Sequence, residues 1–180
     1  LEHYRLGECI AAVAEQLGRR VVFIASGDLS HKLRQDGPYG FAPEGPVFDR
    51  QAAAALGSGD FLSLLQMDAD FCEAAAECGL RSFWIMAGAL DRRSLKTELL
   101  SYEGPFGVGY GVAWLEPTGE DALRDIGVQF ARAQAKERAE RQAAEDELVR
   151  LARLSLETYV KTGQRAALPE GLPAELTDTK

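Results

Sequence analysis

The chain has 180 residues, 46% of them hydrophobic and 27% charged, the proportions of a globular protein rather than of one disordered throughout. Twenty Lys and Arg against 28 Asp and Glu leave a net charge of −8, so the chain lacks the basic footprint of a nucleic-acid binder. No apolar run reaches the roughly 20 residues that cross a bilayer. In chain order, Leu6, Ile10, Val13, Ala14 and Leu17 recur at three- and four-residue steps and predict a helix that Gly18 stops. Residues 21–25, Val-Val-Phe-Ile-Ala, form a β-rich run without alternation. That pattern predicts a strand buried on both faces of a mixed sheet, and a helix leading into such a strand is half of an α/β unit.

A polar loop follows over residues 26–45, rich in Gly and Pro and closed by Pro46. A loop of this length after a buried strand is where α/β proteins carry function. Helical patterning resumes over residues 48–56 and breaks at Gly57-Ser58-Gly59. Asp60 is then placed to cap residues 61–67, and Asp68 a helix that runs to about Cys78. Residues 83–90 are apolar all round and predict a buried helix. Two strands are expected over residues 97–103 and 107–115, joined by a hairpin at Gly104-Pro105-Phe106-Gly107. Composition shifts at Pro117-Thr118-Gly119. Residues 131–150 read as a solvated linker helix, with Glu137–Arg141 and Asp146–Arg150 as i, i+4 pairs. Leu148, Leu151, Leu154, Leu156 and Tyr159 restore an amphipathic stripe up to Gly163, and residues 168–173 are expected to be extended.

Three cysteines, Cys9, Cys72 and Cys78, make an odd set with no CxxC spacing. A reducing cytoplasm is the simpler expectation, and no secretory pattern opens the chain. His31 is the leading candidate for chemistry. It lies in the loop Ser26-Gly27-Asp28-Leu29-Ser30-His31, its imidazole titrates near neutrality, and Asp28 is placed three residues earlier to orient it. The alternative is a turn capped by Asp28 or Ser30 with His31 on the surface. Glu77-Cys78 is the second candidate: a carboxylate suits Fe2+ or Mn2+, and a thiolate suits softer ions. Against that, Cys is often simply buried and Glu is common near helix ends. His3 reads as a surface or capping residue and Cys72 as core. Tyr102, Phe106, Tyr110 and Trp114 suit sheet core better than an aromatic pocket. The alternating glycines at 107, 109 and 111 suit a packed strand better than a dinucleotide loop.

Residues 21–31, the Gly37-Pro38-Tyr39-Gly40-Phe41 turn, Glu77-Cys78-Gly79-Leu80-Arg81-Ser82 and Gly88-Ala89-Leu90 together resemble the C-terminal half of the catalytic domain of the class III extradiol ring-cleavage dioxygenase superfamily, in its Memo-like branch (AmmeMemoRadiSam system protein B). Residues 148–160 with Leu168-Pro169-Glu170-Gly171-Leu172-Pro173 are similar to the start of AmmeMemoRadiSam system protein A. The resemblance implies three parts: a dioxygenase-like half-domain over 1–116, a largely helical linker over 117–145, and the opening of a second domain over 146–180. It implies a helix-on-mixed-sheet α/β fold and non-haem Fe2+, or another divalent metal, held by two histidines and a carboxylate. The histidines belong to the family's N-terminal half, expected to precede Leu1. It also implies a small aromatic (catecholic) substrate, an acid/base role for His31 supported by Asp28, and a metal-ligand role for Glu77 or Cys78. Ring-cleaving members have glutamate at that place and Memo-like proteins cysteine. The chain alone is expected to be inactive. The competing expectation is a non-catalytic scaffold associated with a radical SAM system protein.

Overall fold

A computed structural model describes residues 1–167; the expected extended segment at 168–173 lies outside them. Helices α1 (Glu2–Gln16), α2 (Glu44–Ser58), α3 (Phe61–Leu65), α4 (Ala69–Ala75) and α5 (Leu80–Ala89) precede strands β1 (Arg93–Glu103) and β2 (Tyr110–Glu120). A 3-10 turn (Ala122–Arg124) leads into α6 (Ile126–Ala143) and α7 (Glu147–Thr162). The chain divides into two units, Leu1–Arg132 and Ala133–Lys180.

In the first unit the local signals act as expected. Asp60 accepts the Ser63 N–H at 3.2 Å and Asp68 the Phe71 N–H at 3.0 Å, so each caps its helix. α1 crosses α5 with backbones nearly touching: a Cβ on Gly88 would lie 1.9 Å from the Tyr4 carbonyl oxygen, so only glycine fits. Tyr4 is buried at this crossing, and its hydroxyl accepts the Gly127 N–H at 3.1 Å. Phe48, Phe61, Leu64, Phe83 and Ala87 fill the core between the helices. β1 and β2 form an antiparallel pair with Leu99 opposite Ala113 and Thr97 opposite Leu115. Leu95, Ala113 and Leu115 on its inner face pack on that core.

The α/β class holds, with helices packed on a sheet. The sheet itself differs from expectation: among the described residues it is a two-stranded antiparallel hairpin, not a mixed sheet. Residues 21–25 are not a strand. Phe23 and Ala25 pack inward, whereas Val22 and Ile24 are 78% and 81% exposed. Hydrophobicity without a partner edge leaves such a run unpaired, because a strand exists only through its neighbour's hydrogen bonds. Both strands are longer than expected, and Pro117 falls within β2 rather than after it. It sits opposite Leu95, where the register slips, which suits a residue with no N–H to donate. The helix from Asp68 stops at Ala75, because Ala76 adopts a left-handed conformation (φ 53°) and turns the chain back.

In the second unit α7 starts at Asp146, whose carboxylate accepts the Val149 N–H at 2.8 Å. The capping role takes the carboxylate that the spacing paired with Arg150, whose Nε instead donates to the Glu145 carbonyl oxygen. Arg141 and Glu137 pair as expected. Gly163 closes α7 in the left-handed region, its N–H donating to the Tyr159 carbonyl oxygen.

Candidate functional site

The loop after residue 25 approaches the turn between α4 and α5 more closely than side chains allow. A Cβ on Gly27 would stand 2.4 Å from the Gly79 Cα, and one on Gly79 would stand 2.8 Å from the Asp28 carbonyl oxygen. The glycine pair lets two segments 50 residues apart meet backbone to backbone. The Asp28 N–H donates to Cys78 Sγ at 3.2 Å, and the Cys78 N–H donates to the Asp28 carbonyl oxygen at 3.4 Å. His31 Nε2 then lies 3.4 Å from Asp28 Oδ2 and 3.7 Å from Cys78 Sγ. One nitrogen, one carboxylate oxygen and one sulfur thus converge, each able to hold a metal ion, all within 4.8 Å of one another. The Tyr39 ring stacks on the imidazole at 5.0 Å between centroids, with 26° between the planes.

The loop is held from behind by main-chain bonds. Ser30 is fully buried: its hydroxyl donates to the Ala75 carbonyl oxygen at 2.8 Å and accepts the Lys32 N–H at 3.0 Å. The His31 N–H donates to the same Ala75 oxygen at 3.3 Å. On the other side, the Leu29 N–H donates to the Gly109 carbonyl oxygen at 2.9 Å, and the Gly109 N–H to the Ser30 carbonyl oxygen at 2.8 Å. Beneath them lies Asp49 of α2, fully buried, accepting the Ser30 N–H and the Tyr102 hydroxyl at 2.7 Å each. Burial pushes its carboxyl above the ordinary carboxylate range, against the pull of those two bonds and of nearby His31. The Tyr102 hydroxyl is also pushed up, first by burial and then by Asp49.

Three residues singled out in the sequence, Asp28, His31 and Cys78, are therefore neighbours. Glu77 is turned to other work: its Oε2 accepts the Leu80 N–H at 2.6 Å at the start of α5. Cys72 is buried in the core, its thiol pushed up to about 11 by burial, with Glu77 and Asp68 adding to the shift. His3 packs edge-on to Trp84. The four strand aromatics are not sheet core, for Tyr102, Phe106, Tyr110 and Trp114 are all exposed. Asp49 does not stand out as a site residue in the sequence, although a signal for it exists. It shares a helical stripe with Gly45, Ala52, Ala53 and Leu56, all buried, so a carboxylate falls where an apolar residue is due.

The family model for the catalytic LigB subunit of aromatic ring-opening dioxygenase matches residues 1–113. The chain belongs to that family. It thereby falls in the class III extradiol dioxygenase superfamily. It is also 40% identical, over its whole length, to Protein CA_C1420 of Clostridium acetobutylicum, a name that specifies no activity. The chain spans 38% of that relative's length. Within the LigB match lie His31, Asp28, Cys78, Tyr39 and Asp49. Among the described residues no helix is long and apolar enough to cross a membrane.

Proposed function

We propose that this chain carries one wall of a metal-dependent, dioxygenase-like site, in which His31 moves protons, Asp28 orients it and Cys78 supplies a metal ligand. The observation that carries the reading is the convergence of Asp28, His31 and Cys78 inside a LigB-family chain. The donor assigned to the metal is Cys78, whose thiolate suits Fe2+ or a softer divalent ion. The Asp28 N–H donates to Sγ at 3.2 Å and fixes the sulfur beside His31. A bound divalent metal would supply a Lewis-acid seat for the two vicinal hydroxyls of a catecholic substrate and for O2.

The chain's own residues then have separable tasks. His31 Nε2 takes a substrate hydroxyl proton and later returns one, and the Asp28 carboxylate 3.4 Å away orients the ring. Tyr39 covers one face of the imidazole and narrows its choice of orientation. The remaining ligands come from polypeptide outside this chain, and the isolated chain is inactive. Anaerobic Fe2+ titration checks that division. Weak binding by the 180-residue chain is expected; tight stoichiometric binding would show that Asp28, His31 and Cys78 suffice. In a full-length protein, His31→Ala is expected to abolish ring opening of a catechol while leaving metal content unchanged. Metal loss in that variant would make His31 a ligand instead.

A second reading is favoured by one feature: the residue facing His31 is Cys78, while Glu77 is engaged with α5. That arrangement suits a Memo-like scaffold, associated with a radical SAM system and fused to the start of a protein A-like domain, in which the fold binds a partner and turns over nothing. Such a scaffold keeps partner binding when His31→Ala is introduced. The three free thiols support a reducing, cytoplasmic setting for either reading.

A further inference from the structure

The Gly37-Pro38-Tyr39-Gly40-Phe41 turn enters the candidate site only through Tyr39, whose ring lies on the His31 imidazole at 5.0 Å between centroids. Little else holds that ring. Tyr39 is 60% exposed, and its one stacking partner among the described residues is His31. A side chain so exposed keeps its place only if the backbone beneath it is fixed, because ordering it costs rotamer entropy that burial does not repay. The base of the loop is closed by the antiparallel bridge between Leu33 and Phe41, with the Ala42 N–H donating to the Lys32 carbonyl oxygen at 3.1 Å. Within the loop the Gly37 N–H donates to the Arg34 carbonyl oxygen at 3.1 Å, and the Gly40 N–H to the Gly37 carbonyl oxygen at 3.2 Å.

The loop is also fastened to the turn of the hairpin, and Arg34 is the fastener. Its Nε and Nη2 fork onto Asp36 Oδ1 and Oδ2 at 2.9 and 2.7 Å. Its Nη1 donates to the carbonyl oxygen of Pro105, 71 residues away along the chain, at 2.9 Å. The two backbones meet there through glycine: a Cβ on Gly107 would stand 3.0 Å from the Gly37 Cα. The Leu33 N–H donates to the Gly107 carbonyl oxygen at 3.1 Å. Arg34 and Asp36 are both at least half exposed, and an ion pair so exposed adds little to stability. What a planar bidentate fork supplies is direction: with two nitrogens engaged by Asp36, the guanidinium plane is set and the third nitrogen is aimed at Pro105.

We infer that Arg34 is a positioning residue for His31: it clasps the 33–41 loop to the hairpin turn and so holds the Tyr39 ring against the imidazole. The inference rests on the proposed function only in taking His31 as the working group. Its consequence for that reading is a limit on orientation. An imidazole covered on one face by an aromatic ring has fewer orientations open to it, which keeps Nε2 on the side of Asp28 Oδ2 and Cys78 Sγ, at 3.4 and 3.7 Å. With the clasp open, Tyr39 loses its seat and the imidazole keeps only those two long side-chain contacts. Arg34 and Asp36 stand outside the buried core, so the clasp is removable without unfolding the chain.

The chain has two histidines, His3 and His31, so proton–carbon NMR spectra of the histidine-labelled chain at one fixed pH show two imidazoles. His3, packed edge-on to Trp84, reports on the rest of the fold. Tyr39→Leu removes the stacked ring and sets the shift of an uncovered His31. Arg34→Ala and Asp36→Ala are expected to move the His31 signals toward that position. Arg34→Lys, which keeps the charge but not the fork, is expected to do the same, with His3 unmoved throughout. His31 signals at the wild-type position in any of these three clasp variants, or in Tyr39→Leu, would overturn the inference. A shift of His3 together with His31 would overturn it too, since the effect would then pass through the whole fold. This readout needs neither metal nor turnover, so it separates failure of the clasp from failure of the proposed reaction. In a full-length protein, kcat for a catechol is expected to fall by a similar factor in Arg34→Ala and Tyr39→Leu, on the order of 10–100-fold. A fall confined to Tyr39→Leu would show that Arg34 does not hold the ring.

Discussion

Replacing Asp49 asks how firmly the His31 loop is held. The carboxylate is fully buried and accepts two hydrogen bonds, from the Ser30 N–H and the Tyr102 hydroxyl. Asp49→Ala orphans both donors. A buried donor left without a partner costs ~1–3 kcal/mol. Tyr102 is 39% exposed and recovers water, while the Ser30 N–H, on a fully buried residue, does not. The expected loss is about 2–4 kcal/mol, a large fraction of the ~5–15 kcal/mol that stabilises a domain. With a urea slope of about 2 kcal/mol/M, the middle of the usual range, the unfolding midpoint drops by roughly 1–2 M. Asp49→Asn keeps an acceptor for Ser30 and loses about half as much. The pH dependence separates charge from hydrogen bonding. Because burial raises the Asp49 pKa, the native state holds this proton more tightly than the unfolded chain. Its contribution to stability is fully present below the unfolded carboxyl pKa and is lost as pH rises through the folded value. Asp49→Asn lacks that decline. Urea unfolding followed by circular dichroism from about pH 4 to pH 8 reads both effects. An Ala variant with an unchanged midpoint, or an Asn variant with the wild-type pH slope, would refute the reasoning.

Two further outcomes follow from the geometry. Cys72, with its thiol at about 11, is expected to stay unmodified by iodoacetamide at about pH 8 in the folded chain, while the exposed Cys9 and Cys78 react; mass spectrometry of the tryptic peptides counts the adducts. Gly88→Ala would drive a methyl group to 1.9 Å from the Tyr4 carbonyl oxygen, and forcing α1 off α5 is expected to cost at least ~1–3 kcal/mol, read as a lowered thermal midpoint.

Legibility in the sequence followed the range of the interactions. Asp60 and Asp68 could be read as caps because a cap is decided within three residues; Asp146, read instead as a partner for Arg150, caps α7 by the same local rule. The hairpin could be read because its turn is equally local, although the connection runs over residues 104–109 and β2 starts at Tyr110 rather than at 107. Asp28 and His31 stood three residues apart, but Cys78 joined them only through a family resemblance. Spacing along the chain cannot report a contact across 50 residues that depends on Gly27 lying against Gly79. The end of α4 failed for a related reason. Alanine favours helix, yet Ala76 takes a left-handed conformation because residues 77–79 must turn back toward Asp28. Residues 21–25 failed most plainly. Their hydrophobicity states that they are to be buried but not by what, and among the described residues no strand stands beside them.

The same contacts tie the candidate site to the hairpin. His31 is positioned by its own N–H on Ala75 and by Ser30, and Ser30 is bonded to Gly109, at the head of β2, and to Asp49, which in turn holds Tyr102 of β1. A Cβ on Gly109 would meet Asp49 Oδ2 at 1.9 Å, so the hairpin has no slack at that point. Any displacement of β2 therefore reaches the His31 backbone through one hydrogen bond and one peptide unit. The position of β2 and the geometry of Asp28, His31 and Cys78 are thus one mechanical problem, solved by the bonds through Ser30, Gly109 and Asp49.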